Sequence, residues 1–152
     1  MLHIDDIPQQ VADDIQRQAV DLFPKMWYNS FERSVYMAKN YLLVYAEQLA
    51  TDVELLCQNI KTSSNTLFQI RKSSSSVYAN IREANYGQSK ADMLSKFEIA
   101  LKECSETEGW LQLLFNTQAI NEDTFKPHRN LCGRIKRMLI ASCKTLKEKG
   151  EK

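Results

Sequence analysis

The sequence predicts an all-α chain: an antiparallel up-down four-helix bundle with an extra short helix at its N-terminus. Three observations predict it. Apolar residues recur at three- and four-residue steps over four long stretches, the period of a helix with one buried face. Glycine and proline, which punctuate turns, number only 4 and 3 in 152 residues. No segment alternates apolar and polar residues as a half-buried strand does, and no internal repeat marks a solenoid. The organisation expected is an acidic extension over residues 1–28 and a bundle over residues 29–149.

The first helix is short. Asp5 or Asp6 caps it, and Pro8 fits its first turn, where a missing N–H costs nothing. Ile7, Val11, Ile15, Ala19 and Leu22 make its stripe, and Pro24 stops it. The second helix starts near Asn29, which forms a capping box with Glu32. Phe31, Val35, Ala38, Leu42, Tyr45, Leu49, Val53 and Leu56 carry it to about Ile60, and Lys61 to Asn65 is a polar loop. The third runs from about Thr66 to Gly87, a residue suited to a left-handed C-cap. Its face uses Leu67, Ile70, Val77, Ile81 and Ala84. Its four serines, Ser73 to Ser76, are poor helix formers. They read as small residues that let a neighbouring backbone come close, or as a local irregularity.

The fourth helix opens on Ser89-Lys90-Ala91-Asp92, a capping box with Asp in place of Glu. Leu94, Phe97, Ala100, Leu101, Cys104, Leu111 and Leu114 form its stripe. Gly109 sits in its middle, at a cost of about 1 kcal/mol relative to alanine. Asn121 caps the fifth, whose face holds Phe125, His128, Cys132, Ile135, Leu139, Ser142 and Leu146. Pro127 would remove one of its backbone bonds, so the helix either starts nearer Lys126 or kinks there. Lys147 to Lys152 frays.

The chemistry of an enzyme is not written in this pattern. The histidines are His3, near the terminus, and His128, at the edge of an apolar face, where a packed or half-exposed imidazole is expected. Glu-x-x-His, a glycine-rich phosphate loop, GxSxG and HExxH are all missing. Cys57, Cys104, Cys132 and Cys143 form no CxxC pair and read as small buried thiols in a reducing cytosol. No metal or cofactor is expected. The acidic run Glu98, Glu103, Glu106 and Glu108 reads as a solvated face or a subunit contact. No apolar run is long enough to span a membrane, and Met1 to Asp14 lacks the basic and apolar regions of a secretory signal. The expected location is cytoplasmic.

Charge is where function shows. The net charge is +1, but it is unevenly spread. Residues 1–23 carry Asp5, Asp6, Asp13, Asp14 and Asp21 against Arg17, a net of −4. Residues 24–125 are at −2 and residues 126–152 at +7. At roughly 100° per residue, with Cys132 at zero, Lys126, Arg129, Lys136, Arg137, Lys144 and Lys147 fall between roughly 40° and 140°. Arg134 lies apart. Such a stripe attracts a phosphate backbone through counterion release, with little reading of sequence. Alternatively it is a solvated face, or is salt-bridged to acids such as those from Glu98 to Glu108. Tyr36, Tyr41, Tyr78, Tyr86 and Trp110 could stack on bases, although aromatics at helical spacing more often fill a core or an interface.

A family resemblance rests on particular runs. They are Gln69-Ile70-Arg71-Lys72, Ser76-Val77-Tyr78-Ala79-Asn80-Ile81-Arg82-Glu83-Ala84 and Tyr86-Gly87-Gln88-Ser89-Lys90-Ala91-Asp92. Lys96, Ile99-Ala100-Leu101-Lys102-Glu103, Glu106-Thr107-Glu108 and Trp110-Leu111 extend them. Together they resemble the bacterial four-helix bundle family of proteins encoded within intervening sequences of large-subunit ribosomal RNA genes. More distantly, they resemble the accessory variability determinant proteins of diversity-generating retroelements. The likeness covers roughly residues 30–147 and leaves the acidic N-terminal helix outside it. Gly109, where the family often has an aromatic residue, and Pro127 depart from it. The resemblance implies a ring-shaped homo-oligomer, typically a pentamer, without catalytic activity. In the retroelement branch it implies binding of nucleic acid and of a reverse transcriptase, although those members are strongly basic.

Two functions follow as expectations. One is a nucleic-acid-associated adaptor that binds RNA or DNA through its basic last helix, beside a reverse transcriptase or ribosomal RNA. The other is a structural or protein-binding homo-oligomer with no nucleic-acid ligand, its basic stripe matched to an acidic surface.

Overall fold

The structure, a computed structural model, describes residues 30–150, with side chains at residues 41–148. The N-terminal helix expected over residues 7–22, its caps, and the Asn29–Glu32 capping box lie outside what is described of the chain. The chain forms two units, Met1–Tyr41 and Leu42–Lys152, and the second holds the bundle. Its helices are α1 (Ser30–Asn59, of which residues 42–59 belong to this unit), α2 (Ser64–Ala84), α3 (Lys90–Asn116) and α4 (Glu122–Gly150). Among the described residues there is no strand. Short loops join consecutive helices, so neighbours run antiparallel. The Lys147–Glu98 and Lys136–Glu108 contacts show this directly for α3 and α4.

The core is built from the faces that the helical period picks out. Leu42, Tyr45, Ala46, Leu49, Val53 and Cys57 of α1 are buried, as are Ile70, Val77, Ile81 and Ala84 of α2. Leu56 is half-exposed, and Cys57 takes the inward position in its place. Phe97, Ala100, Cys104, Leu111 and Leu114 of α3 are buried too, as are Phe125, Cys132, Ile135, Met138, Leu139 and Cys143 of α4. All four cysteines are free and buried.

Ends and interruptions carry the surprises. α2 begins two residues before Thr66 because Ser63 caps it, its hydroxyl accepting the Thr66 N–H at 3.1 Å. Gly87 is not the left-handed C-cap expected of it: no described glycine has a positive φ. Instead the last turn tightens. The N–H groups of Asn85, Tyr86 and Gly87 reach the carbonyls of Arg82, Glu83 and Ala84 at 3.2, 3.0 and 3.2 Å. These i→i−3 bonds satisfy the terminal carbonyls without a left-handed residue. Gly87 is small for another reason. A Cβ there would lie 3.2 Å from both the Ala84 carbonyl oxygen and Asp92 Oδ2, so its absence lets the turn rest against the start of α3.

The four serines do not break α2. Ser73, Ser74 and Ser75 donate to the carbonyls three residues back at 3.2, 3.2 and 3.0 Å. Ser73 and Ser74 are buried, and Thr107 of α3 donates to Ser73 Oγ at 2.8 Å. Small side chains thus bring α3 close, and each buried serine hydroxyl has a partner, a carbonyl of its own helix and, for Ser73, Thr107 as well. α3 starts as expected, with Ser89 Oγ accepting the Asp92 N–H at 3.1 Å. Asn121 likewise caps α4, its Oδ1 accepting the Thr124 N–H at 2.9 Å. α4 therefore begins at Glu122, not nearer Lys126, and contains Pro127. The carbonyl that Pro127 leaves without a partner, that of Asp123, is on an exposed residue where water can reach it.

Candidate nucleic-acid interface

The core of α4 fixes where its cations point. With Cys132, Ile135 and Leu139 turned inward, the arc from roughly 40° to 140° becomes the flank beside α3 and the solvent face beyond it. Lys126, Arg129, Arg137, Lys144 and Lys147 are exposed, and Lys136, at the innermost rotation, is half-buried. Arg134 stands apart. It donates to Tyr45 Oη at 3.3 Å, with its guanidinium 5.1 Å from the centre of that ring.

The inner edge of the stripe meets the acids of α3. Lys136 Nζ lies 2.7 Å from Glu108 Oε2, and Lys147 Nζ lies 2.9 Å from Glu98 Oε1. In each case the hydrogen bond from the lysine to its glutamate is the main cause holding the ammonium pKa above the ordinary lysine range. On the outer edge, Lys126 pairs with Glu122 at 3.0 Å, and Lys144 reaches Glu148 only at 4.0 Å, both one turn away on the same helix. Arg129 lies over Phe125, 5.9 Å from the ring centre, and Phe125 stacks on Phe115 of α3 with centroids 4.6 Å apart. Neither Arg129 nor Arg137 has a carboxylate partner among the described residues.

Sequence reasoning named the acids of α3 as possible partners in general. The structure selects Glu108 and Glu98, and places Glu103 elsewhere. Partial burial and the charge of Glu106 push the Glu103 carboxyl up. Glu122 and Glu148 are partners that the charge stripe alone does not name, although each stands four residues from its lysine, Lys126 or Lys144. Among the aromatics, Tyr78 accepts a hydrogen bond from Arg82 at 2.8 Å on α2, Tyr86 is largely exposed, and Tyr36 lies outside the described side chains.

The remaining titratable groups are arranged for packing. His128 is half-buried, with Nδ1 2.7 Å from the Thr124 carbonyl oxygen. The Cys104 thiol points at the Cys132 carbonyl oxygen, 3.5 Å away. The adjacent Cys104 thiol, and then burial, push the Cys132 thiol far up, and burial also raises Cys57 and Cys143. Among the described residues, no three His, Cys, Asp or Glu side chains gather where they could hold a metal ion. No described helix is long and apolar enough to cross a membrane.

Comparison with known proteins places the chain. No curated protein matches it. A solved structure from Bacteroides thetaiotaomicron VPI-5482, a protein of unknown function from the S23 ribosomal protein family, is 34% identical to it. The two superpose with a TM-score of 0.68 over 70% of this chain and 98% of the other. Residues 41–141, which include α2, α3 and most of α4, match the family of the 23S rRNA-intervening sequence protein. The chain belongs to the 23S rRNA-intervening sequence protein family.

Proposed function

We propose that the chain is a non-catalytic, oligomeric accessory protein of the cytoplasm that binds the backbone of RNA or DNA through the basic edge of α4. The observation that carries this reading is the clustering of six cations on one arc of one helix, five of them exposed. A strip of one sign concentrates polyanions at its surface and needs no base reading to do so. Membership of the family, named for ribosomal RNA, fits it. A ring of such subunits, with five as the expected count, would present several strips to one polymer, and a reverse transcriptase is the protein partner that the retroelement branch suggests. The test is RNA binding by the full chain against a variant with Arg129, Lys136, Arg137 and Lys144 changed to glutamate. Salt-sensitive binding that the variant loses is expected; binding untouched by the charge reversal refutes the reading.

A second reading, a structural or protein-binding homo-oligomer without nucleic acid, is favoured by the pairing of Lys136 and Lys147 with glutamates of α3, which consumes part of the positive charge internally. Leu55, Phe68, Ile99, Leu113 and Ile140 also leave apolar surface exposed. On this reading the protein passes through heparin unretained at physiological salt.

A further inference from the structure

The ion pairs divide the basic edge unequally. Lys126, Lys136, Lys144 and Lys147 each have a carboxylate within 4.0 Å, and Arg129 and Arg137 have none among the described residues. These two arginines stand eight positions apart, about 12 Å along the helix axis. Gly133 lies midway between them. A Cβ on Gly133 would lie 3.4 Å from Arg137 Nη1 and meet no other side chain, so the half-exposed glycine is the floor on which the Arg137 guanidinium rests. The Lys136–Glu108 and Lys147–Glu98 pairs mark the register of α3 against α4, and in that register Gly109 of α3 falls within a turn of Gly133. A Cβ on Gly109 meets nothing within 4 Å. Ile140, 54% exposed, continues the same arc two turns beyond Gly133.

We propose that this window, Arg129 and Arg137 on either side of Gly133, whose missing side chain leaves only the mobile end of Arg137 over the helix, is where α4 grips a single-stranded polynucleotide, with Ile140 against a base or sugar. The inference rests on the reading of the basic edge as a nucleic-acid surface and narrows it. Arginine forks match phosphate oxygens in pairs, and glycine admits a backbone closer than any side chain would. Carboxylates explain why the strand crosses the helix instead of following it. Glu122 and Glu148 flank the ends of the strip, and Glu108 and Glu98 line its inner side. A duplex, carrying one charge about every 1.7 Å of its axis, would be pressed against these acids. A flexible strand can pass between them.

The test uses the full chain and a labelled oligouridylate of about eight nucleotides, long enough to cross one window and within the length of single-strand sites. Affinity is read between about 50 and 200 mM salt. Two phosphate contacts give a log–log salt slope of about −1.4, whereas all six cations would give about −4.2. Gly133→Glu sets a carboxylate four residues from each arginine, at a spacing that pairs on a helix, and replaces a poor helix former. Its expected signature is a melting point unchanged or raised, together with a loss of affinity of about tenfold, matched by the R129Q/R137Q double variant. The K72Q/K102Q double variant, which removes the same charge from α2 and α3, retains the affinity. Binding that Gly133→Glu leaves intact, a slope near −4, or tighter binding of a duplex of equal length overturns the window and spares the broader reading. No binding by the unaltered chain at low salt overturns both. A change in oligomer mass on Gly133→Glu, with RNA affinity unmoved, reassigns the face to contact between copies of this chain and also overturns the window.

Discussion

Lys136 stands at the innermost rotation of the six cations, with its side chain only 30% exposed, and its ammonium lies 2.7 Å from Glu108. Such a contact holds the proton more tightly in the folded chain than in the unfolded one, so the lysine pKa rises above its ordinary 10.5. The sign of the linkage follows. The stabilisation is fully present below the unfolded pKa and is lost as pH climbs through the raised folded value, where the ammonium gives up its proton. Glu108→Gln keeps the shape and removes the charge. At pH 7 it should cost about 0.5–1 kcal/mol, the upper range for a pair so placed. Thermal melts followed by circular dichroism should show a deficit of about 1–4 °C at pH 7. That deficit should close as pH rises beyond the ordinary lysine value of 10.5 and through the raised folded one. A deficit constant up to the highest pH would mean that packing of the glutamate stem, not its charge, stabilises the contact.

At the scale of the element, the turn from α3 to α4 contains a motif that no residue type announces. α3 ends at Asn116, and Gln118 follows the Thr117 cap with φ of 60°. The Ala119 N–H reaches the Leu114 carbonyl at 2.9 Å and the Gln118 N–H reaches that of Phe115 at 3.0 Å, the two bonds of a Schellman ending. Glycine normally holds the left-handed position, because a Cβ is strained there. Gln118→Gly should therefore stabilise the fold by about 0.5–1 kcal/mol, after the entropy that glycine costs the folded chain is counted. Denaturant titration checks this through a higher midpoint at unchanged slope, and a lower midpoint would mean that the Gln118 side chain supplies more than its backbone loses. The same turn shows what was legible in the sequence. Four helices, their faces, and the caps Ser89 and Asn121 follow from period and residue type, because both act within one turn of helix. Gly87 misled because a glycine can serve close approach as well as a left-handed cap, and only the position of Asp92 on the next helix tells which. For Pro127 a late start and a kink were both open, and the start at Glu122 removes only the first, because the proline's cost depends on whether water reaches the freed carbonyl. For the site, rotation alone put six cations on one side of α4. Which of them are neutralised depends on the register of α3 against α4, and a single helix's periodicity carries no register.

For the whole molecule, the uneven charge gives the strongest expectation. A net of +1 is small, yet the last 27 residues carry +7 and the first 23 carry −4. Long-range attraction of a polyanion senses the sum of these within a screening length of about 10 Å at 0.1 M salt, so acidic and basic segments of one chain offset each other's field at low ionic strength. Residues 1–28 hold five aspartates against Arg17 and Lys25, a net of −3, and a chain without them would stand at +4. Removing residues 1–28 should therefore tighten RNA binding, by severalfold at about 50 mM salt and much less at about 200 mM, where screening hides the deleted charge. Fluorescence anisotropy on both chains across that range measures the ratio directly. A ratio that stays constant with salt would mean that the deletion acts through something other than charge. Equal affinities at every salt would mean that the acidic head neither repels RNA nor shields the cations of α4. If copies assemble as the family resemblance implies, each brings its own head and its own basic edge. The effect should then grow with the length of RNA, as successive edges engage one strand at high effective concentration. Long RNA should show a larger ratio between the two chains than an oligonucleotide that fills a single window, and equal ratios for both lengths would point to one edge acting alone.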